Sequence, residues 1–240
     1  MTDQFNNLGQ PIGAPLPDWT GARHPGHTGM EGQYCRVEPL DAERHTADLF
    51  AAFRQDRTDA IWTYVPYGPF AAQEELHDWV KAASGVDAQP YFAVINGTSG
   101  KAEGIASYMR IQPAHGVIEV GGITFAPALQ RTRAATEAMY LMMARVFNDL
   151  GYRRYEWKCD ALNAPSRRAA ERFGFTYEGL FRQAIVYKGR NRDTAWYSIL
   201  DSEWKQLEAA YKAWLDPANF DADGQQQRSL AQLRAQPSGG

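Results

Sequence analysis

Glu119 is the single carboxylate in an otherwise apolar stretch, GVIEVGGITF over residues 116–125. Inside a sheet, burial would raise its pKa towards the range where a carboxylate takes protons near neutrality. On an edge or a solvent-facing side it would be a surface group hydrogen-bonded across the sheet, and both placements suit the pattern. Gly121 and Gly122 follow directly and fit a bulge that bends the strand and lets a ligand lie against its backbone. Arg131 and Arg133 stand in Leu129-Gln130-Arg131-Thr132-Arg133-Ala134-Ala135-Thr136, just before a helical pattern. Arginines there can bind phosphate beside a helix N-terminus, or pair with nearby carboxylates in a solvated loop; the position before the helix favours phosphate. Asn163 and Ser166 open another helix, where both residue types cap well and where a hydroxyl is also a hydrogen-bond donor.

Other reactive side chains read as inert. Cys159 alternates with Tyr155 and Trp157, which makes it a core strand residue rather than a nucleophile. Of the five histidines only His24 and His27 are close together, in a Gly/Pro-rich segment unsuited to rigid ligation, so no metal is expected. No Ser-His or Cys-His pairing is suggested, so a transfer reaction would be direct, without a covalent enzyme intermediate.

The chain of 240 residues, 44% of them hydrophobic, is long enough for a full core. Its net charge of -3 and pI near 6.0 lack the excess of clustered Lys and Arg that a nucleic-acid surface needs. No apolar run approaches the roughly 20 residues that span a bilayer, and MTDQFNNLGQ has neither the basic start nor the apolar stretch of a secretory signal. A cytoplasmic protein with no nucleic-acid or membrane partner is expected, its two cysteines, Cys35 and Cys159, reduced.

The elements that must position these residues alternate in type, predicting a mixed α/β (α+β) domain. Residues 1–33 are rich in Pro, Gly and Asn and read as an irregular arm whose Trp19 docks on the body. The domain itself covers 34–216, and residues 217–240 form a polar tail, mobile or with a short amphipathic helix around Leu230 and Leu233. Strands are predicted at Tyr34–Leu40, in the hairpin YFAVI and EGIASYMRI around Asn96-Gly97, in GVIEVGGITF, in YEWKCD, in FTYEGLF, and in AIVYKG to WYSIL. Helices are predicted at Ala42–Arg54, Ala72–Ala83, after Pro127 through Met139, Met142, Val146 and Leu150, at Ala164–Phe173, and from N-caps at Asp201 and Ser202.

This order, with a helix inserted after a central strand and N-x-x-S opening the next helix, resembles the GCN5-related N-acetyltransferases (GNAT) over about residues 34–216. The string Asn163-Ala-Pro-Ser166 through Gly174-Phe175 to Glu178-Gly179 is similar to the RimJ/RimL branch, and Thr136-Glu137-Ala138 matches its A-T-E-A. The resemblance implies a mostly antiparallel central sheet, flanked by helices and splayed at a site for the cosubstrate acetyl-CoA. It implies that Gln130, Arg131, Thr132, Arg133, Ala134, Ala135 and Thr136 wrap the pyrophosphate, although the family's two loop glycines fall at Arg131 and Arg133. It further implies that backbone N–H groups around Ile123, Thr124 and Phe125 polarise the thioester carbonyl. Glu119 then takes the proton of the amine. The family's usual tyrosine is replaced by Ala170, which leaves Ser166 to hold the departing thiolate and Asn163 to hold the pantetheine arm.

Among acceptors, an α-amine of pKa near 8 is neutral about a tenth of the time at pH 7, and a lysine near 10.4 less than a thousandth. Chemistry and resemblance both point to a protein or peptide N-terminus. A small-molecule amine (polyamine, antibiotic or amino acid) and a non-catalytic acyl-CoA-binding module are the alternatives. A homodimer is expected from relatives only.

Overall fold

Residues 4–235 are described by the computed structural model. The chain begins with an exposed hairpin of β1 (Gln4–Phe5) and β2 (Pro11–Ile12), followed by β3 (Met30–Glu31), β4 (Cys35–Pro39), α1 (Ala42–Phe53) and α2 (Gln73–Ala83). Then come β5 (Tyr91–Asn96), β6 (Ala102–Gln112), β7 (Val117–Phe125), α3 (Arg133–Ala144) and β8 (Arg154–Asp160). The chain ends in α4 (Ala164–Phe173), β9 (Thr176–Tyr187), β10 (Arg190–Leu200), α5 (Asp201–Leu215) and α6 (Leu230–Arg234).

Eight strands form one sheet in the order β3-β4-β5-β6-β7-β8-β10-β9. Every pairing is antiparallel except β7 with β8, which is parallel. The one parallel junction is required because α3 crosses over between those two strands. Alternation divides the core. Val94, Tyr108, Val120 and Trp157 pack with Met139, Met142 and Tyr211 of α3 and α5. Ala93, Ile95 and Ile105 pack with Leu49, Phe53, Leu76 and Val80 of α1 and α2. The helices start where local chemistry allows. Asp41 Oδ1 accepts from the Arg44 amide at 2.8 Å, and Asn163 Oδ1 from the Ser166 amide at 3.1 Å. Gly174 ends α4 at φ 100°.

Several boundaries differ from the sequence expectation. Asp201 and Ser202 lie inside the first turn of α5, whose cap position is Leu200; Glu203 Oε2 accepts the Leu200 amide at 2.8 Å. β9 runs unbroken from Thr176 to Tyr187, absorbing Gln183 at φ 51°, so the turn comes at Lys188-Gly189. The arm contributes β3 to the sheet, while Trp19 docks it on the body as expected, its Nε1 donating to the Ala114 carbonyl at 2.8 Å. The expected polar tail packs on the body through residue 235: Leu230 and Leu233 are buried, and Arg234 Nη1 donates to the Glu171 and Arg172 carbonyls that end α4. Its last residues, 236–240, lie outside the described ones.

Glu137 ties the sheet to its crossover helix. Its carboxylate accepts three backbone N–H groups, from Gln33 at 2.8 Å, Tyr34 at 2.6 Å and Cys35 at 2.8 Å. A Cβ at Gly32 would fall 2.3 Å from its Oε2, which explains glycine there. Burial, with the Glu137 charge behind it, pushes the Cys35 thiol far up and keeps it unreactive. Glu137→Ala orphans three amides at the start of β4, and a loss of about 3 kcal/mol is expected in urea denaturation. A loss below about 1 kcal/mol would show that water replaces the carboxylate.

Candidate active site

The site begins where β7 and β8 stop pairing. Their register holds from Val117 with Arg154 to Val120 with Trp157 and goes no further, although β7 continues to Phe125 and β8 to Asp160. The cause is local. Against β6, one residue is added to β7 between Gly121 and Thr124, with Gly122 at φ 59°. A Cβ there would meet the Tyr91 ring at 2.9 Å and Ser107 Oγ at 3.0 Å. The bulge is pinned from the loop between α1 and α2: Tyr67 donates its hydroxyl hydrogen to the Gly122 carbonyl at 3.0 Å and lies 3.2 Å from Thr124 Oγ1. Ser107 Oγ donates to the Gly121 carbonyl at 2.9 Å. Ile123, Thr124 and Phe125 therefore lie on a strand that has lost its parallel neighbour, a backbone edge suited to an extended ligand.

Following this strand, Gln130 Nε2 donates to the Phe125 carbonyl at 2.8 Å. Thr132 caps α3, its Oγ1 accepting from the Ala135 amide at 3.1 Å and donating to the Leu129 carbonyl at 2.6 Å. Arg131 sits at φ 64°, so the backbone keeps a left-handed geometry that favours glycine even though an arginine occupies it. The amides of Arg133 and Ala134, in the first turn of α3, have no intrahelical acceptor, and Ala134 and Ala135 are buried and small. Thr136 Oγ1 donates to the Thr132 carbonyl and accepts from Arg172 Nη1, each at 3.2 Å. Among the described residues neither Arg131 nor Arg133 forms an ion pair with a carboxylate.

Glu119 is buried, one register step before the strands part, and it is not solitary. Its Oε2 meets Arg110 Nη1 at 2.6 Å and Lys158 Nζ at 3.0 Å. Lys158 also reaches Glu156 Oε2 at 2.6 Å, Glu156 Oε1 meets Arg154 Nε at 2.7 Å, and Arg154 pairs with Glu178. Six charges thus alternate across β6, β7, β8 and β9, three of each sign. Desolvation alone, the expectation from the apolar strand, is not the environment of this carboxylate: two cations share one of its oxygens. Its Oε1 faces the other way, 3.5 Å from where a Cβ on Gly121 would stand, at the point of parting. Lys158 is only 3% exposed and lies 3.7 Å from the Trp196 ring, which is stacked on Phe181.

Beyond the parting, Ser166 Oγ accepts from the Trp157 indole at 3.0 Å and stands beside the Cys159 thiol. Asn163 spends its side-chain oxygen on capping α4. Ala170 is fully buried, and Cys159 is buried with its thiol pushed up, largely by that burial. Asp160 ends β8 and accepts from the Tyr187 hydroxyl at 2.9 Å; burial and this carboxylate push the phenol up to about 12. Lys188 Nζ donates to the carbonyls of Trp62, at 2.8 Å, and Tyr67, at 3.3 Å, closing the β9–β10 turn onto the Tyr67 loop.

Sequence reasoning missed Tyr67, Arg110, Lys158 and the Tyr187–Asp160 pair. The period-two face of Glu156, Lys158 and Asp160 was the available signal, without the register that shows what it meets. Lys158→Met leaves Glu119 and Glu156 each one arginine, so the expected loss lies at the low end for a broken buried pair, roughly 3 kcal/mol in chemical denaturation. A variant as stable as the wild type would refute the charge chain.

The acetyltransferase (GNAT) domain family matches this chain over residues 36–176. A GCN5-related N-acetyltransferase from Brucella melitensis superposes at a TM-score of 0.89 and 51% identity, over 91% of this chain and 99% of that one. YdaF of Bacillus subtilis, named as a candidate ribosomal N-acetyltransferase, is 26% identical over 179 residues, 70% of this chain and 91% of that protein. RimL, the ribosomal L7/L12 alpha-N-protein acetyltransferase, shares the fold at a TM-score of 0.62 and 18% identity, over 72% of this chain and 94% of its own. Parted parallel strands, a bulged β7 and a capped helix N-terminus are joined by a match over more than half of the chain: it belongs to the GNAT acetyltransferase family, whose members use acetyl-CoA, and is an N-acetyltransferase.

Proposed function

We propose that the chain transfers acetyl from acetyl-CoA directly to the N-terminal amine of a protein or peptide. The observation that carries the reading is the parting of β7 and β8 beside Glu119, which sets a backbone edge and a buried carboxylate at one point. The residues fit the cosubstrate. The edge at Ile123–Phe125 suits an extended pantetheine arm, and the amides of Arg133 and Ala134 with the flanking arginines suit phosphates. Acetyl-CoA supplies the activated acyl group.

The chain's own residues do the rest. Glu119 receives the proton that the ammonium must lose, through the oxygen turned towards Gly121. Lys158 and Arg110 hold the other oxygen and fix the carboxylate's direction. As the N–C bond forms and the C–S bond breaks, the N–H groups around Ile123–Phe125 that β6 leaves unpaired, Phe125 among them, stabilise charge on the carbonyl oxygen. Ser166, oriented by the Trp157 indole, turns its hydroxyl hydrogen to the departing sulfur. Asn163 fixes the start of α4 on which Ser166 stands.

The acceptor class rests on amine chemistry, since an α-amine is neutral far more often than a lysine at pH 7, and on the ribosomal role named for YdaF. Radiolabelled acetyl transfer to peptides with free or blocked N-termini, set against polyamines, aminoglycosides and free amino acids, tests it. Transfer confined to free N-termini is expected, and turnover of small amines alone would contradict it. Glu119→Gln should lower kcat by about a hundredfold, and Ser166→Ala by about tenfold, with the fold retained. Glu119→Gln at wild-type rate would remove the base from Glu119.

A further inference from the structure

Arg133 occupies a position where the family resemblance expects glycine, and the structure surrounds it with aromatic surface. Its guanidinium carbon lies 3.9 Å from the centre of the Phe220 ring and 5.5 Å from that of Tyr34. Phe220 belongs to the C-terminal segment, outside residues 36–176 that match the family. The ring is fixed from behind, packing edge-on against Trp214 at 5.2 Å and 84°. Asn219, buried beside it, donates to the Trp214 carbonyl at 3.2 Å and to the Arg228 carbonyl at 3.1 Å, and accepts the Arg228 amide at 3.0 Å. The turn that follows closes on the guanidinium: a Cβ at Gly224 would stand 3.2 Å from Arg133 Nη2. From α4, Arg172 lies over Trp214 at 5.1 Å and bonds Thr136, so the same segment touches both helices beside the loop.

A guanidinium stacked on a ring face keeps its in-plane N–H donors for another partner, and stacking removes the freedom a long side chain otherwise loses on binding. No carboxylate among the described residues takes those donors. We infer that Phe220, together with the turn to Gly224, positions Arg133 to bind the phosphates at the nucleotide end of acetyl-CoA. The C-terminal segment is then part of the cosubstrate site, and Arg133 supplies with fixed donors what a glycine loop supplies with backbone. The inference rests on acetyl-CoA being the cosubstrate bound at this loop.

Calorimetric titration with acetyl-CoA and with S-acetylpantetheine, which carries the thioester arm but no nucleotide, tests it. Phe220→Leu keeps apolar volume and removes the ring face; Arg133→Ala removes the cation. Each should weaken acetyl-CoA about tenfold and leave S-acetylpantetheine unchanged, the double variant should bind no worse than Arg133→Ala alone, and Phe220→Trp should restore affinity. Wild-type affinity in Phe220→Leu, equal losses for both thioesters, or additive losses in the double variant would each overturn the positioning role. A wild-type protein that binds neither thioester would instead bring down the reading of the cosubstrate site, and this inference with it.

Discussion

The parting of a single parallel strand pair is the constraint around which the molecule is built. A sheet with antiparallel neighbours everywhere else gives up its hydrogen bonds between β7 and β8 over Gly121–Phe125. The cost of unpaired backbone is met from the other side: Ser107 and Tyr67 take the carbonyls of Gly121 and Gly122, and β6 stays paired through the bulge. The crossover helix that makes the pair parallel also delivers its N-terminus to the end of the parted strand. One topological feature thus supplies both the open edge and the helix N-terminus beside it.

Rigid placement of that feature depends on two different uses of charge. Below α3, Glu137 is spent on three backbone amides and holds the start of β4 against the crossover. On the opposite face, three carboxylates and three cations alternate across four strands, so that Glu119 is buried without being uncompensated. Burying Glu119, Lys158 or Glu156 alone would be costly, and burying them within a chain whose ends, Arg110 and Glu178, reach solvent fixes the relative register of β6, β7 and β8 while keeping one carboxylate oxygen turned to the parting.

Much of this was legible in the chain. Period-two alternation located β8 and assigned Cys159 to the core, paired glycines marked the bulge, and Asn163 and Gly174 delimited α4. These signals are local, readable within a turn or a strand. What escaped was set by register and by distant contacts. Glu119 was legible as an unusual carboxylate, but Arg110 and Lys158 become its partners only once three strands are aligned. Likewise Leu230 and Leu233 announced a short helix, whereas the stacking of Phe220 on Arg133 joins residues 87 positions apart in a segment whose polar composition reads as a tail. Arg131 departs from the loop glycine in residue type but keeps its left-handed backbone, which residue type alone could not convey.

Amide hydrogen exchange along β7, with and without acetyl-CoA, probes the central claim most directly. If the parted edge receives the thioester arm, the amides of Gly121–Phe125 that β6 leaves unpaired, Phe125 among them, should slow markedly when the cosubstrate is present, while those of Val117–Val120, in the stretch already paired with β8, should change little. Saturable binding that leaves Gly121–Phe125 exchanging at the unliganded rate would contradict the account.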